Sequence, residues 1–272
     1  MDYSRMSDRR AVEGNYIDSG NLATRISLHD KYSTNPVGLG EWVWTQYRLF
    51  PGCRILELGC GSAVFWDARA KRLPPGASLV LTDLSAGMVA EAARRFEGND
   101  RIRVRTADIT AIPFSDGMFD IVIANHMLYH LDNPEQAIRE VCRALVPGGT
   151  FYCTTNGENG IMGYLDAAAQ VFFGCPPGRQ ELSFSLQNGQ AVLERCFPEV
   201  VRVDYEDSLC ITEIDDWLDY VFSAGAMTGW NAADRPASRA FFEARKAADG
   251  CLHVPKEAGM FISVKSEGLR HG

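Results

Sequence analysis

The sequence has no long hydrophobic run and no segment that would direct the chain to a membrane. None of its apolar runs approaches the roughly 20 residues that a membrane-spanning helix requires. The N-terminal stretch Met-Asp-Tyr-Ser-Arg-Met-Ser-Asp-Arg-Arg lacks the apolar core of a signal peptide. From these two absences we expect a globular cytoplasmic protein with no membrane partner.

Closely spaced cysteine pairs are also missing. The sequence has eight cysteines, none of them in a Cys-x-x-Cys pair, and several lie within apolar strand or helix patterns. Disulfides are rare in a reducing compartment, and a buried thiol behaves as a small apolar group. The sequence therefore predicts buried free thiols, and neither disulfides nor a zinc site.

The chain has no excess of positive charge. Its 27 Lys and Arg residues against 35 Asp and Glu residues give a formal net charge of −8, and the basic residues are dispersed. Nucleic-acid binding draws much of its affinity from Lys and Arg side chains that neutralise phosphates on one face. The charge therefore argues against a nucleic-acid partner. The hydrophobic content of 46% is ample for a substantial core.

The sequence does contain a buried strand that runs directly into a glycine turn, Arg54-Ile-Leu-Glu-Leu-Gly-Cys-Gly-Ser-Ala-Val-Phe65. The apolar residues before the turn are typical of a parallel strand that is covered on both faces. Gly59 and Gly61 let the backbone bend and come close to a bound molecule. The dinucleotide fingerprint opens in the same way, but its sixth position needs Gly or Ala, where this chain has Val64. A nicotinamide oxidoreductase is therefore disfavoured.

An acid followed by Gly-x-Gly-x-Gly/Ala resembles the first motif of the class I S-adenosylmethionine-dependent methyltransferases, with Ala63 in place of the third glycine. The resemblance implies S-adenosylmethionine as the cofactor, with its methionine part lying over the turn. It also implies that the strand-final acid helps to orient the cofactor's ammonium group and the loop. The cofactor contacts that it implies in this stretch are Glu57, Gly59, Cys60, Gly61 and Ser62.

A second apolar strand, Leu79-Val-Leu-Thr, ends at Asp83. Helical spacing resumes beyond it, and Ser85 is the predicted N-cap of that helix. Gly59 and Asp83 are 24 residues apart, close to the roughly 20 residues expected for the ribose-binding acid of a nucleotide-binding βαβ unit. We predict that Asp83 accepts hydrogen bonds from both ribose hydroxyl groups, with Leu84 and Met88 as further cofactor contacts.

Residues 101–105 alternate between basic and apolar side chains, which predicts an edge strand with one solvated face. Ala107-Asp-Ile109 follows this strand. In the resembled family the acid at this place accepts a hydrogen bond from the adenine amino group, and the backbone of the next residue meets the ring. The resemblance implies these two roles for Asp108 and Ile109.

A fourth apolar strand, Phe119-Asp-Ile-Val-Ile-Ala-Asn125, leads into His-Met-Leu-Tyr-His. Ligands of doubly wound sheets bind outside the C-terminal ends of the strands. His126 and His130 have the spacing of a zinc protease motif, but Met127 stands where that motif needs its general-base Glu, so no metal is expected. We predict a cofactor contact for Asn125 and a structural role for His130. For His126 we predict either a cofactor contact or a catalytic role as proton acceptor.

The predicted domain organisation is an N-terminal helical cap (1–50), a cofactor-binding core (51–155) and the rest of a single structural domain (156–272). The stretch from Phe-Asp (119–120) through Pro-Gly-Gly (147–149) is the part most similar to small-molecule and quinone methyltransferases. In the leading segment Tyr32 has two interpretations. It packs against the sheet, or it roofs the cofactor.

The last two strands are predicted at residues 200–205 and 260–264, and in the resembled family they form an antiparallel hairpin. Residues 212–258 would then be an insertion far longer than a hairpin needs, with one helix from Ile214 and another over 238–247. Such an insertion is typical of a lid or substrate wall. Its aromatic candidates, each more often core than ligand, are Tyr220, Phe222, Trp230 and Phe241.

We predict an α/β protein with a Rossmann-like, doubly wound, mostly parallel seven-stranded sheet and helical lid additions, which transfers a methyl group from S-adenosylmethionine to a small-molecule acceptor. Because the sulfonium is already activated, aligning the acceptor and excluding water are the main tasks, and His126 would help with an acceptor that must lose a proton. A nucleic-acid base methyltransferase is one alternative, although no Asn/Asp-Pro-Pro-Tyr signature follows the fourth strand. A catalytically idle S-adenosylmethionine-binding protein is another, and the oligomeric state stays open.

Overall fold

The structure is a computed structural model and describes residues 27–174, 182–223, 230 and 232–267. Its strands are β1 (Arg54–Leu58), β2 (Ser78–Asp83), β3 (Ile102–Thr106), β4 (Phe119–Asn125), β5 (Leu145–Asn156), β6 (Glu199–Ile211) and β7 (Leu252–Val264). They form one seven-stranded sheet in the order β3-β2-β1-β4-β5-β7-β6. The predicted Rossmann-like α/β fold with a mostly parallel sheet is confirmed.

Strands β1 to β5 make up the parallel part of the sheet. Strand β1 pairs with β2 and β4, β2 pairs with β3, and β4 pairs with β5, all in parallel. In β1 only the first residue is exposed, and the centre of β4 is buried throughout. Strands covered on both faces carry continuous apolar runs, which is why the sequence revealed them. Strand β3 lies at the edge of the sheet with Arg103 and Arg105 exposed, as the alternating pattern predicted.

The helices are α1 (Leu39–Gln46), α2 (Ala86–Arg95), α3 (Pro134–Ala144), α4 (Ile161–Phe173), α5 (Gly189–Leu193), α6 (Ile214–Ser223) and α7 (Arg235–Glu243). Residues 27–32 are also helical. Ser85 caps α2 as predicted, with its Oγ accepting a hydrogen bond from the Met88 N–H at 3.4 Å. Asn133 caps α3, and Pro134 opens that helix. Within the described ranges, none of these helices has the length and apolar character that a membrane crossing needs.

The last two strands are longer than predicted. Strand β6 continues to Ile211 and β7 already begins at Leu252. The polar residues 206–208 and Pro255 interrupt the apolar alternation that marks a strand, so the sequence-based boundaries at these ends were wrong. The insertion between the two strands therefore narrows from 212–258 to 212–251. Helix α7 both begins and ends earlier than the predicted 238–247, and its earlier start places Pro236 in the first turn, where proline is favoured.

Backbone hydrogen bonds give the direction of β7. The N–H of Gly148 donates to the Lys265 carbonyl, and the N–H of Gly157 donates to the Glu257 carbonyl, so β7 runs opposite to β5. Strands β6 and β7 are neighbours in the sheet. Along them Asp207 faces Lys256 and Cys210 faces Cys251, so these two strands are antiparallel as well.

The chain divides into two compact units. Unit A comprises Met1–Leu39, Asn156–Leu182 and Asp204–Ala258, and unit B comprises Gly40–Thr155, Ser183–Val203 and Gly259–Gly272. The core of unit A combines aliphatic and aromatic side chains and includes the fully buried Trp217 and Phe242 of helices α6 and α7. The core of unit B includes Leu56 of β1, Val122 of β4 and Ile138 of α3.

The prediction of free thiols is wrong for one pair. Cys210 and Cys251 form a disulfide in unit A, with their Cα atoms 5.1 Å apart at a sequence separation of 41. Such a pair becomes adjacent only when β6 and β7 lie side by side, so spacing along the chain does not reveal it. The cysteines that are free in the described part of the chain are Cys53, Cys60, Cys142, Cys153 and Cys196. Cys175 lies outside the described residues.

Candidate active site

The C-terminal ends of four parallel strands bring the predicted site residues other than Tyr32 together in unit B. Strand β1 lies between β2 and β4, and β3 lies beyond β2. In register, Asp83 pairs with Thr106 and Asn125 pairs with Thr154. The Ala107 N–H donates to the Asp83 carbonyl at 3.0 Å, so the segment that carries Asp108 continues beside β2. In open α/β sheets this end is where ligands bind.

The glycine turn after β1 depends on left-handed backbone. Gly59 has φ +70° and Gly61 has φ +55°, both in a region that favours glycine. A Cβ on Gly59 would also lie 2.9 Å from Cγ of Met127, whereas a Cβ on Gly61 would meet nothing within 4 Å. Gly59 is therefore required both by its backbone conformation and by close packing, whereas Gly61 is required by its backbone conformation alone. Ala63 has φ 59°, which explains why a third glycine suits this position.

Asp83 ties the end of β2 to this turn. Its Oδ2 accepts a hydrogen bond from the Gly61 N–H, and its Oδ1 accepts one from the Ser85 N–H, both at 2.8 Å. An ionised carboxylate has about four lone-pair sites, so after these two bonds it can accept two more hydrogens. The two hydroxyl groups of a ribose offer that number. Asp83 therefore fits the predicted ribose contact.

Partly exposed apolar side chains lie near Asp83. Leu84 is 44% exposed and Val64, across the turn, is 53% exposed, so apolar surface borders the strand end. Met88 is half-buried on α2. Such a surface fits a ligand part that is flat and weakly polar.

Asp108 begins the short helical turn after β3. Its Oδ1 accepts hydrogen bonds from the N–H of Thr110 at 2.9 Å and from the Thr110 hydroxyl at 2.7 Å. The side chain of Ile109 is buried at 6% exposure. The local bonds to Thr110 fix the direction of the Asp108 carboxylate.

The strand-final acid Glu57 is the centre of a buried hydrogen-bond network. It is 2% exposed, and it accepts hydrogen bonds from Nε1 of Trp66 and, at 2.9 Å, from Nδ2 of Asn125. Burial raises the pKa of Glu57 to about 7, against the opposing effect of these two donors. The amide oxygen of Asn125 in turn accepts from the Tyr47 hydroxyl at 3.0 Å and from the Thr154 hydroxyl at 3.3 Å.

The network gives Glu57 and Asn125 protein partners that the sequence did not reveal. Trp66, Tyr47 and Thr154 come from three separate stretches of the chain, and no motif marks them. Tyr47 is 8% exposed and its ring lies edge-on to Tyr152 at 5.1 Å between centroids. Through these contacts the network fixes the ends of β1, β4 and β5 relative to one another.

His126 begins the loop after β4 with φ 49°. Its N–H donates at 3.0 Å to both the carbonyl and the hydroxyl of Thr154. Met127 packs on the glycine turn, and the His130 N–H donates to the Met127 carbonyl at 3.0 Å. Among the residues that the structure describes, no group of three or more His, Cys, Asp or Glu could hold a metal ion.

The remaining predicted cofactor contacts have varied surroundings. Cys60 is half-buried, and desolvation raises the pKa of its thiol, so it is a poor nucleophile. The carbonyl of Ser62 accepts a hydrogen bond from Nε of Arg95 at 2.9 Å. Tyr32 belongs to unit A, where it is 5% exposed and its hydroxyl donates to Oδ2 of Asp216 at 2.5 Å.

The aromatic residues proposed for the insertion pack within unit A. Tyr220 stacks on Trp217 with ring centroids 5.5 Å apart, and Trp230 lies 4.9 Å from Phe172. Phe222 and Phe241 pack against the same core. These contacts favour core over ligand for all four, as the sequence suggested.

A comparison with protein families matches residues 56–153 to the family described as "Methyltransferase domain". The matched region begins within β1, includes the glycine turn, Asp83, Asp108 and the loop after β4, and ends within β5. It therefore contains most of the predicted cofactor-contacting residues.

Curated relatives match the same part of the chain. A demethylmenaquinone methyltransferase from Clavibacter sepedonicus is 38% identical over 98 residues, which is 36% of this chain and 39% of that protein. A malonyl-[acyl-carrier protein] O-methyltransferase from Legionella pneumophila is 32% identical over 114 residues, which is 42% of this chain and 40% of that protein. The chain thus spans well under half the length of these curated relatives.

Among solved structures, a phosphoethanolamine N-methyltransferase 2 from Haemonchus contortus, in complex with phosphomonomethylethanolamine and S-adenosylhomocysteine, superposes with a TM-score of 0.58. It is 16% identical, and the match covers 98% of this chain and 60% of that one. At this identity the likeness concerns the fold alone.

Proposed function

We propose that this chain, which belongs to the class I S-adenosylmethionine-dependent methyltransferases, transfers the methyl group of S-adenosylmethionine to a small-molecule acceptor. S-adenosylmethionine is the cofactor that the methyltransferase match and the neighbour bound to S-adenosylhomocysteine support. The observation that carries the proposal is the hydrogen bond from the Gly61 N–H of the glycine turn to the carboxylate of Asp83 at the end of β2, at 2.8 Å. It joins the two features that a nucleoside ligand needs, a backbone open to close approach and a carboxylate with acceptor capacity.

We assign the cofactor contacts along the strand ends. The turn of Gly59 to Ser62 would lie under the methionine part, Asp83 would accept the ribose hydroxyls, and Asp108 with Ile109 would meet the adenine. Glu57 and Asn125, whose side chains bond to protein groups, would act by holding the turn and the end of β4 in place.

When bound, the cofactor supplies a methyl group on a sulfonium that leaves as a neutral thioether. The chain's own task is to hold the acceptor in line with that methyl and to exclude water. A protein nucleophile is not needed. If the acceptor is a hydroxyl or an acidic carbon, the imidazole of His126 would take its proton; if it is a neutral amine, positioning alone would suffice.

A small-molecule acceptor is supported by two observations. The relatives that match act, by their names, on demethylmenaquinone and on a malonyl group carried by a protein. The net charge of −8 is unfavourable for a phosphate backbone. A nucleic-acid base methyltransferase and a catalytically idle S-adenosylmethionine-binding protein are the alternatives that the experiment must exclude.

Calorimetry and a turnover screen test the proposal. We expect S-adenosylmethionine and S-adenosylhomocysteine to bind and NAD to show no heat of binding. Incubation with a metabolite library should release S-adenosylhomocysteine with at least one acceptor. Affinity for NAD without affinity for either sulfur cofactor would exclude the family's chemistry. Binding without turnover on the library, together with turnover on RNA or DNA, would exclude the small-molecule acceptor.

A further inference from the structure

His126 combines a titratable side chain with an unfavourable backbone conformation. Within the described part of the chain, His126 and Ala63 are the non-glycine residues with positive φ, at 49° and 59°. Ala63 belongs to the glycine turn, where the motif explains its conformation. A side-chain-bearing residue in left-handed backbone persists only when its surroundings hold it there, and such residues cluster at functional sites.

The group that holds His126 is Thr154 of β5. Thr154 is fully buried, and its carbonyl and hydroxyl oxygens each accept the His126 N–H at 3.0 Å. The bond to the carbonyl is an ordinary contact between neighbouring strands that any residue at 154 would provide. The bond to the hydroxyl requires Ser or Thr, so it is a specific addition to the sheet.

The direction of the Thr154 hydroxyl is fixed by the network behind it. Its hydrogen points to the amide oxygen of Asn125 at 3.3 Å, which leaves its lone pairs for the His126 N–H. Asn125 cannot rotate to reverse this arrangement, because its amide nitrogen donates to the Glu57 carboxyl and to the Tyr47 hydroxyl, both at 2.9 Å. A rotated amide would instead turn its oxygen toward the acceptor oxygen of Glu57. An acceptor of fixed orientation therefore faces the backbone of His126.

We propose that Thr154 is a positioning residue for His126: its hydroxyl holds the His126 backbone in the left-handed conformation and so sets the direction in which the imidazole leaves the end of β4. This inference rests on the proposed function, and it concerns acceptors that lose a proton to His126. Thr154 itself touches neither cofactor nor acceptor in this assignment.

The first test uses the ligand-free protein. Thr154→Val keeps the shape of the side chain and removes the hydroxyl, whereas Thr154→Ser keeps the hydroxyl. We expect amide hydrogen exchange at His126 to become about tenfold faster in Thr154→Val, since one of its two acceptors is lost, and to stay near the wild-type rate in Thr154→Ser. Thr154→Ala replaces Thr154→Val if circular dichroism shows that the valine variant does not fold. Equal exchange rates in the serine and the hydroxyl-free variants would overturn the proposal, whether or not the enzyme is active.

The second test is a double-mutant cycle on turnover. We expect Thr154→Val to lower kcat about tenfold, to displace the pH profile of kcat, and to leave acceptor KM and S-adenosylhomocysteine affinity within about twofold. His126→Gly removes the imidazole and adopts positive φ without cost, so adding Thr154→Val to His126→Gly should change the residual kcat by less than twofold.

The cycle separates the two ideas. If Thr154→Val lowers kcat by the same factor in both backgrounds, Thr154 acts by another route and the positioning role is wrong. Full activity of His126→Gly alone would contradict the catalytic role of His126 and the positioning role of Thr154. It would leave the proposed methyl transfer unaffected. Absence of turnover by the wild-type protein with every acceptor removes the proposed function and this inference together.

Discussion

Glu57 is a carboxylic acid that the fold encloses between neutral hydrogen-bond donors, Trp66 and Asn125. Taking a carboxylate out of water disfavours its charged form, and the negative charge of Asp83 adds to this. The hydrogen bonds of Glu57 therefore hold the site residues in place, whereas the burial of its charged form destabilises the folded protein. This conflict has a measurable consequence for the pH dependence of stability.

The free energy of unfolding should fall as pH rises past the ordinary range of a carboxylic acid. Since burial raises the pKa of Glu57 from 4.5 to about 7, the folded state binds more protons than the unfolded state between these values. Stability from this group is therefore greatest below about pH 4.5, declines through that window, and is fully lost above pH 7. Relative to Glu57→Gln, the wild-type protein should lose at most about 3 kcal/mol between pH 4.5 and pH 8.

Urea denaturation of the two proteins at several pH values measures this. Other titrating groups are common to both proteins, so the difference between the two curves isolates Glu57. Curves that stay parallel across the window would show that folding does not raise the pKa of Glu57.

Asp83 should be the strongest single determinant of cofactor affinity. Charge-assisted hydrogen bonds contribute on the order of 1.5 to 3 kcal/mol each, so Asp83→Ala should weaken S-adenosylhomocysteine binding at least tenfold in calorimetry. Asp100→Ala removes the same charge from an exposed position and serves as the control, with affinity expected within about twofold of wild type. Equal affinities for the two variants would move the ribose contact to another residue.

The segment 33–35 shows how one buried acid can fix a stretch of chain that has little structure of its own. Asp207 of β6, with a fully buried side chain, accepts hydrogen bonds from the Ser33 hydroxyl at 2.7 Å and from the N–H groups of Thr34 and Asn35 at 3.1 Å. It also pairs with Lys256 of β7. Burial pushes the pKa of Asp207 up, but the bonds from Lys256 and Ser33 outweigh it, so the pKa lies below its usual value.

Breaking this buried ion pair should cost far more than breaking an exposed one. Lys256→Met leaves a buried carboxylate without its cation, which should destabilise the protein by about 3 kcal/mol near neutral pH. Because the pKa of Asp207 is depressed, the pair stabilises the fold above the unfolded-state pKa of about 3.9, and that contribution is lost as pH falls further. Lys31→Met is the matched control, since Lys31 is 54% exposed in its pair with Asp216, and its melting temperature should barely change. Equal melting temperatures for the two variants would contradict the role given to Asp207.

Unit A is assembled from three stretches that are far apart in the sequence, which makes long-range links important for its stability. The hydrophobic core supplies most of them, and the Cys210–Cys251 disulfide adds one covalent link. This disulfide closes a loop that contains α6 and α7. In the unfolded chain such a link removes conformational freedom that the reduced chain would keep.

Reduction should therefore destabilise the protein. For a sequence separation of 41 the chain-entropy estimate is about 4 kcal/mol. We expect the reduced protein and the Cys210→Ser, Cys251→Ser double variant to melt at similar, lower temperatures, with Cys142→Ser, which removes a free thiol, close to wild type. Full alkylation of Cys210 and Cys251 without a reductant would show that the native protein lacks this disulfide.

The sequence by itself determined the features that depend on neighbours along the chain. The sequence alone shows the runs of apolar residues in β1, β2 and β4 and the acids at the ends of β1 and β2. It also shows the glycines with positive φ and the caps at Ser85 and Asn133, because these depend on backbone sterics and local hydrogen bonds. The match to the methyltransferase family covers most of these features, which is why the fold was predictable from residues 54–125.

Tertiary structure decided everything that depends on pairs of distant residues. The Tyr47–Asn125–Glu57 network, the Cys210–Cys251 disulfide and the bonds of Asp207 to Ser33 join positions from 41 to 174 apart in the sequence. The full lengths of β6 and β7 belong to this group too, because their polar ends are held by ladder partners and not by an apolar pattern. A single residue does not show which partner will come to lie beside it until the sheet has formed, since only the paired strands bring the two within hydrogen-bonding distance.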